Sequence, residues 1–231
     1  MREIKYIAYI VLSCILLYFG YLGYVKWKSG HEVIRTINTM RYQDMVASFK
    51  DSEIDTSSIV FLGNSLTEHF NLSQFNNPHV INRGISGDFT EGVIARMDSI
   101  ISRHPKKIFI EIGINDLIEK IALKTIGNNY EIILQKIIKA SPRTQIFIHS
   151  LLPTMLHSSI STSSDDVNKK VMEFNNILLN LSEKYHCTYI DTWSHFATKD
   201  NCMNPSLTDD GIHLTLDGYK VWVAVIKDLV N

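Results

Sequence analysis

Three features of the sequence predict an α/β domain: a three-layer α/β/α sandwich around a five-stranded parallel sheet. Short apolar runs rich in β-branched and aromatic residues recur at 58–62, 79–82, 107–112, 145–151 and 188–190, as strands buried on both faces require. The stretches between them carry apolar residues at three- and four-residue spacing, so strand and helix alternate. Each of the first four runs also ends in a glycine-rich or polar turn or at a proline, where a parallel sheet delivers its functional groups.

The first run, Ser58-Ile59-Val60-Phe61-Leu62, empties into Gly63-Asn64-Ser65 without an intervening charge. Ser65 therefore stands where a helix begins, at the carboxyl edge of the sheet. Taken alone it is a helix cap. The second run meets Arg83-Gly84-Ile85-Ser86-Gly87-Asp88, and a helix over 90–103 follows with Val93, Ile94, Met97, Ile100 and Ile101 turned inward. The third ends at Gly113-Ile114-Asn115-Asp116, after which 117–140 supplies the crossover. Pro153 closes the fourth, and a helix over 167–185 turns Val171, Phe174, Leu178, Leu181 and Tyr185 inward. Thr215 or Asp217 caps a last helix that runs to the end of the chain. Residues 157–166, with five serines, a threonine and two aspartates, read as a solvated loop. Right-handed crossovers joining parallel strands cover both sheet faces with helices.

Ahead of this body, 57–231, the chain divides into an anchor at 1–28 and a connector at 29–56. Residues 6–25 are uncharged and are bracketed by Arg2 and Lys5 before and Lys26 and Lys28 after. As a helix they measure roughly 30 Å, so a single transmembrane span is expected, with tyrosines and Trp27 near its ends. No small-x-small site follows to mark a cleaved signal peptide. Val11-Leu12-Ser13-Cys14 is a poor lipidation site, since Leu12 is bulky and the apolar run continues past Cys14. Counting Lys26, Lys28, Arg35 and Arg41 against Arg2 and Lys5 favours a cytoplasmic body. In the connector, Tyr42, Met45, Val46 and Phe49 predict one short helix over 40–50 that lays a face on the body.

Charge and cysteine content narrow the function. Lys plus Arg number 23 and Asp plus Glu 24, for a net charge of -1 and a pI near 6.7. No basic field points to nucleic acid. Outside the anchor there are two cysteines, Cys187 and Cys202, which fit either a disulfide or two free thiols. His149, His157, His186 and His195 lack ligand spacing, so no metal is expected, and the Gly84–Gly87 loop departs from the dinucleotide fingerprint, so no nucleotide cofactor is expected. The oligomeric state is not legible.

Singly, Gly84 and Gly87 are turn glycines, Asn115 a turn or cap residue and His213 a loop histidine. Together with Ser65 and Asp210 they supply a nucleophile, an imidazole base, a carboxylate beside it and neutral donors for an oxyanion. The blocks Phe61-Leu62-Gly63-Asn64-Ser65-Leu66-Thr67, Asn82-Arg83-Gly84-Ile85-Ser86-Gly87-Asp88, Gly113-Ile114-Asn115-Asp116 and Asp210-Gly211-Ile212-His213-Leu214 occur in the order found in the SGNH, or GDSL-like, hydrolases. Over 57–230 the chain resembles that family. The resemblance implies a flavodoxin-like sheet of order 2-1-3-4-5, Ser65 as nucleophile, His213 as base and Asp210 as its orienting carboxylate. It also implies an oxyanion hole made by the Ser65 and Gly87 N–H groups and the Asn115 amide. Asn64 stands where the family has Asp, which keeps one acceptor, loses a charge and gains two donors.

The chemistry that follows is hydrolysis of a carboxylic ester through a Ser65 acyl-enzyme, and the family implies a short acyl ester, such as O-acetyl on a sugar or glycan. Such substrates place the body outside the cytoplasm, against the charge count. Two other readings stand beside it: a lysophospholipase, thioesterase or lipase, with Leu151, Leu152, Met155 and Leu156 near the acyl chain, and a tethered protein that binds ligand without turnover.

Overall fold

The computed structural model describes residues 2–37, 39–50, 54–155 and 164–231. Five strands, β1 (Ile59–Gly63), β2 (Val80–Gly84), β3 (Lys107–Glu111), β4 (Gln145–His149) and β5 (Thr188–Ile190), form one sheet of order β2-β1-β3-β4-β5. Every pairing in it is parallel. This is the architecture and order expected from the sequence. β1 and β2 each extend to a glycine, Gly63 and Gly84, which pair with one another. β4 stops at His149, two residues short of the expected end: Ser150 N–H makes the last bond to β5, at the Ile190 carbonyl, and Leu151 N–H turns to the Asn175 side chain.

The helices fall in chain order as α1 (Arg2–Ile37) and α2 (Met40–Lys50) before the sheet, then α3 (Ser65–Glu68) after β1. After β2 come α4 (Thr90–Arg96) and α5 (Asp98–Ile101), and after β3 α6 (Ile114–Ile118) and α7 (Leu123–Ala140). α8 (Ser164–Lys184) precedes β5, and α9 (Trp193–Phe196) and α10 (Leu216–Val230) follow it. The helix expected over 90–103 is thus two short ones that meet at Met97, and the crossover after β3 is likewise split. Thr215 caps α10, its hydroxyl accepting from Gly218 N–H at 3.1 Å.

Alternation along the strands builds two cores. Val60, Leu62, Ile108, Ile110, Ile146 and Ile148 face one side, where α4 to α8 bury Val93, Met97, Ile133, Val171 and Phe174 against them. Ile59, Phe61, Phe109 and Phe147 face the other, packed on α3 and α10 through Leu66, Tyr219, Trp222 and Ile226. Register places Phe61, Phe109 and Phe147 side by side on three adjacent strands, with ring centroids 4.7 and 4.4 Å apart. Each such ring contributes roughly 1.5–3 kcal/mol by burial. The chain leaves β1 for β2 on one side and returns to β3 on the other, so the carboxyl ends of β1 and β3 flank the crevice where the sheet order reverses.

α2 forms where expected and lies on the body: Tyr42 is buried, its hydroxyl donating to the Gly92 carbonyl at 3.1 Å. Phe49 lies under the Arg83 guanidinium, 4.7 Å from ring centroid to carbon. Residues 6–25 fall within α1. Among the described residues, however, no helix is long and apolar enough to cross a membrane, so the span expected there is not supported. α1 also continues beyond that run, through a stretch containing Lys26, Lys28, Glu32 and Arg35. Of the loop expected at 157–166, residues 157–163 lie outside the described residues, as does Leu156. Cys187 and Cys202 are free thiols.

Candidate active site

Ser65 opens α3 at the carboxyl end of β1, with 8% of its surface exposed. The turn that presents it is tied down on every side. Asn64 Oδ1 accepts from Leu66 N–H at 2.9 Å, which caps the short helix. Asn64 thereby retains the acceptor role open to an aspartate, while its buried Nδ2 finds no partner among the described residues. From the apolar face beneath, Tyr219 of α10 donates its hydroxyl to the Leu66 carbonyl at 2.9 Å. Asn82 of β2 donates to the Thr67 and Phe70 carbonyls at 2.6 and 3.2 Å.

His213 and Asp210 arrive from the far end of the chain, in the loop before α10. His213 Nε2 lies 2.9 Å from Ser65 Oγ, and Nδ1 lies 2.5 Å from Asp210 Oδ2. The other Asp210 oxygen accepts from the Ile212 and His213 backbone N–H groups at 2.9 and 2.7 Å. Desolvation raises the Asp210 carboxyl, but the hydrogen bonds from His213 and Ile212 outweigh it and hold the group down to about 2. An ionised carboxylate on Nδ1 fixes the tautomer in which Nε2 is free to accept a proton. The loop itself is closed by Thr208, whose hydroxyl donates to the His213 carbonyl at 2.7 Å and accepts from Gly211 N–H at 2.9 Å. Met155 N–H, from the segment after β4, bonds the Gly211 carbonyl at 2.7 Å.

Gly87 lies in the loop between β2 and α4 with φ at +79°, a conformation that L side chains rarely adopt. Asn115, in the first turn of α6, donates its amide to the carbonyl of Asp88, the next residue, at 2.8 Å. The two expected oxyanion donors are therefore brought to the same loop, with one Asn115 N–H uncommitted. Asp116, its neighbour in the same block, does something else. It accepts from Thr90 N–H and Oγ1 at 3.1 and 2.6 Å and fastens the start of α4; burial pushes its carboxyl up to about 7, against those bonds. Among the described residues no group of His, Cys, Asp and Glu side chains is arranged to hold a metal ion.

Several positioning contacts carry no local sequence signal. Glu68, three residues after the serine, accepts from Ser86 N–H at 2.5 Å and pairs with Arg41 of α2, so the connector reaches the Gly87 loop. Asp88 and Arg96 form a buried ion pair at 2.8 Å behind the same loop. Asn82 and Asp88 stand inside recognisable blocks, but Glu68 and Arg96 lie outside them.

Comparison with known proteins shows the family of the chain. The family model described as the GDSL-like lipase/acylhydrolase family matches residues 56–221. Platelet-activating factor acetylhydrolase IB subunit alpha1 of Rattus norvegicus is 25% identical over 181 residues, covering 75% of this chain and 74% of its own length. The alpha2 subunit of Homo sapiens is 25% identical over 198 residues, with 82% of each chain covered. Among solved structures, a GDSL-like lipase from Bacteroides thetaiotaomicron superposes with a TM-score of 0.71 at 23% identity, covering 84% of this chain and 97% of that one. An acetylxylan esterase from Geobacillus stearothermophilus gives 0.62 at 15% identity, covering 77% and 95%. Those two structural likenesses speak for the fold alone. The family match spans most of the chain and contains Ser65, Asp210 and His213, and the chain belongs to the GDSL-like lipase/acylhydrolase family.

Proposed function

We propose that the protein is a serine esterase that hydrolyses a short acyl ester, O-acetyl on a sugar or glycan being the preferred class. The observation that carries the reading is the contact of Ser65 Oγ with His213 Nε2 at 2.9 Å while Asp210 occupies Nδ1. In the reaction, Ser65 Oγ attacks the ester carbonyl as His213 takes its proton. Asp210 stabilises the imidazolium that forms. Charge on the carbonyl oxygen is met by the Ser65 and Gly87 N–H groups and the free Asn115 N–H. His213 then protonates the leaving alcohol, and water repeats the sequence on the acyl-enzyme.

Support for a short acyl group comes from the relatives, since an acetylhydrolase is similar in sequence and an acetylxylan esterase in fold. Hydrolysis of p-nitrophenyl esters from acetyl to palmitoyl, with O-acetylated xylo-oligosaccharides alongside, tests the reading. The expected result is turnover of acetyl esters that falls steeply with chain length. A preference for long chains transfers the protein to the lysophospholipase, thioesterase or lipase reading. Failure of Ser65 to react with a fluorophosphonate leaves the non-catalytic binding protein.

Location is a separate part of the proposal: α1 attaches the protein to a membrane, with the hydrolase body on the extracytoplasmic side. Its support is the uncharged run at 6–25 and the exposed Leu16, Leu17 and Phe19 on α1. Extraction of cell membranes with alkaline carbonate should leave the protein in the pellet; its release overturns attachment through α1.

A further inference from the structure

We propose that the buried Asp88–Arg96 ion pair is the positioning device of this site, locking the strand end that carries Ser65 to the loop and amide that receive the oxyanion. The inference rests on the serine-hydrolase reading above and concerns two residues to which that chemistry assigns no part.

One guanidinium joins the two sides. Arg96, at the end of α4, donates Nε to Asp88 Oδ2 at 2.8 Å and Nη2 to the Gly63 carbonyl at 3.0 Å. That carbonyl belongs to the last residue of β1, two before Ser65, and also accepts from Ile85 N–H at 3.1 Å. Asp88 faces the opposite way. Its Oδ1 accepts from Phe89 N–H at 2.9 Å, its N–H bonds the Ile85 carbonyl at 3.1 Å, and its carbonyl holds the Asn115 amide at 2.8 Å. Gly87 is the residue just before it. A rigid planar fork is what fixes Gly63 relative to Asp88, and hence Ser65 relative to Gly87 and Asn115.

Burial argues for geometry as the reason for the pair. Both side chains are almost completely excluded from solvent, at 2% and 0% exposure. Desolvation of two charges roughly cancels their attraction, so apolar residues of similar volume would stabilise the fold as well. They would not hold a carbonyl and a loop in register. α4 is built around the pair: a Cβ at Gly92 would stand 1.9 Å from Asp88 Oδ1 and 2.9 Å from the Tyr42 hydroxyl. Side-chain freedom cannot relieve that contact, because Asp88 is held by Arg96 and Phe89.

Two substitutions test the proposal, with p-nitrophenyl acetate as substrate. Arg96→Lys keeps the charge opposite Asp88 but loses the fork, and Gly92→Ala keeps both charges while displacing Asp88 and gaining helix propensity. Each should lower kcat about tenfold to a hundredfold with KM little changed, since misplacement of about 1 Å costs on that order. A purely structural role would lower the folded fraction and would add independently to other losses. The deciding readout is therefore the double variant: Arg96→Lys in the Asn115→Ala background should lose little beyond Asn115→Ala alone, because both act on the same oxyanion. Should Arg96→Lys fail to fold by near-ultraviolet circular dichroism, Gly92→Ala with Asn115→Ala carries the same test. Unchanged kcat in the folded variant, or losses that multiply in the double variant, overturn the proposal. Ser65→Ala separates the two failures: if it remains active, the hydrolase reading falls instead.

Discussion

Ser65 and His213 are separated by 148 residues in the chain and by 2.9 Å between Oγ and Nε2. Packing of α10 on the face that carries Phe61 and Phe109 brings this about, since His213 sits just before that helix and Tyr219 within it bonds the Leu66 carbonyl.

The contact predicts that Ser65→Ala and His213→Ala each remove acyl-enzyme turnover while leaving the fold intact. Because the two side chains act as one unit, the double variant should cost little more than either single one. Burst kinetics with p-nitrophenyl acetate measure this; undiminished hydrolysis by Ser65→Ala protein refutes the assignment.

For Asn115, the bond to the Asp88 carbonyl fixes the amide and leaves one N–H for the oxyanion. Asn115→Ala should therefore lower kcat by about 100- to 1,000-fold with KM nearly unchanged. A loss confined to KM would mean that the amide binds substrate without favouring the transition state.

The Asp210 carboxyl, held down to about 2, is ionised throughout the working range and adds no second titration above it. The acid limb of log kcat/KM should then fall as a single ionisation. Asp210→Asn, which supports the wrong imidazole tautomer, should lower kcat by about 10⁴. An acid limb of two ionisations would contradict the assignment of Asp210 as a permanent anion.

Glu111 at the end of β3 is fully buried, neither carboxylate oxygen has a hydrogen-bond partner among the described residues, and burial raises it from 4.5 to about 8. A raised folded-state value means stability that is complete below pH 4.5 and is lost as pH rises through 8, because the unfolded chain releases its proton first. His149, buried on the adjacent strand and lowered to about 3, acts in the opposite sense and loses stability as pH falls. Comparing Glu111→Gln with the parent cancels the histidine. The stability gained by Glu111→Gln should grow between pH 5 and pH 8, by up to about 1.4 kcal/mol per pH unit, in urea unfolding curves. A difference independent of pH would show that Glu111 is ionised in the folded protein.

What the sequence determined by itself was everything encoded within a few neighbouring residues. Apolar runs of three to seven residues marked the five strands, three- and four-residue spacing the longer helices, and Thr215 or Asp217 the start of α10, where Thr215 is the cap. The blocks around Ser65, Gly87, Asn115 and His213 named the candidate site because turn residues and functional groups share short segments at strand ends. Tertiary structure alone decided what depends on two distant segments. Glu68 and Arg96 lie outside the blocks that marked the site, yet one grips the Ser86 N–H and the other the Gly63 carbonyl, since helix packing carries them behind the site. Glu111 likewise ends β3 and lies in a closed core, its burial set by the layers on either face. A charged side chain has no periodicity that reveals its partner: its environment is set by which helices close over it, and that is a property of the assembled layers.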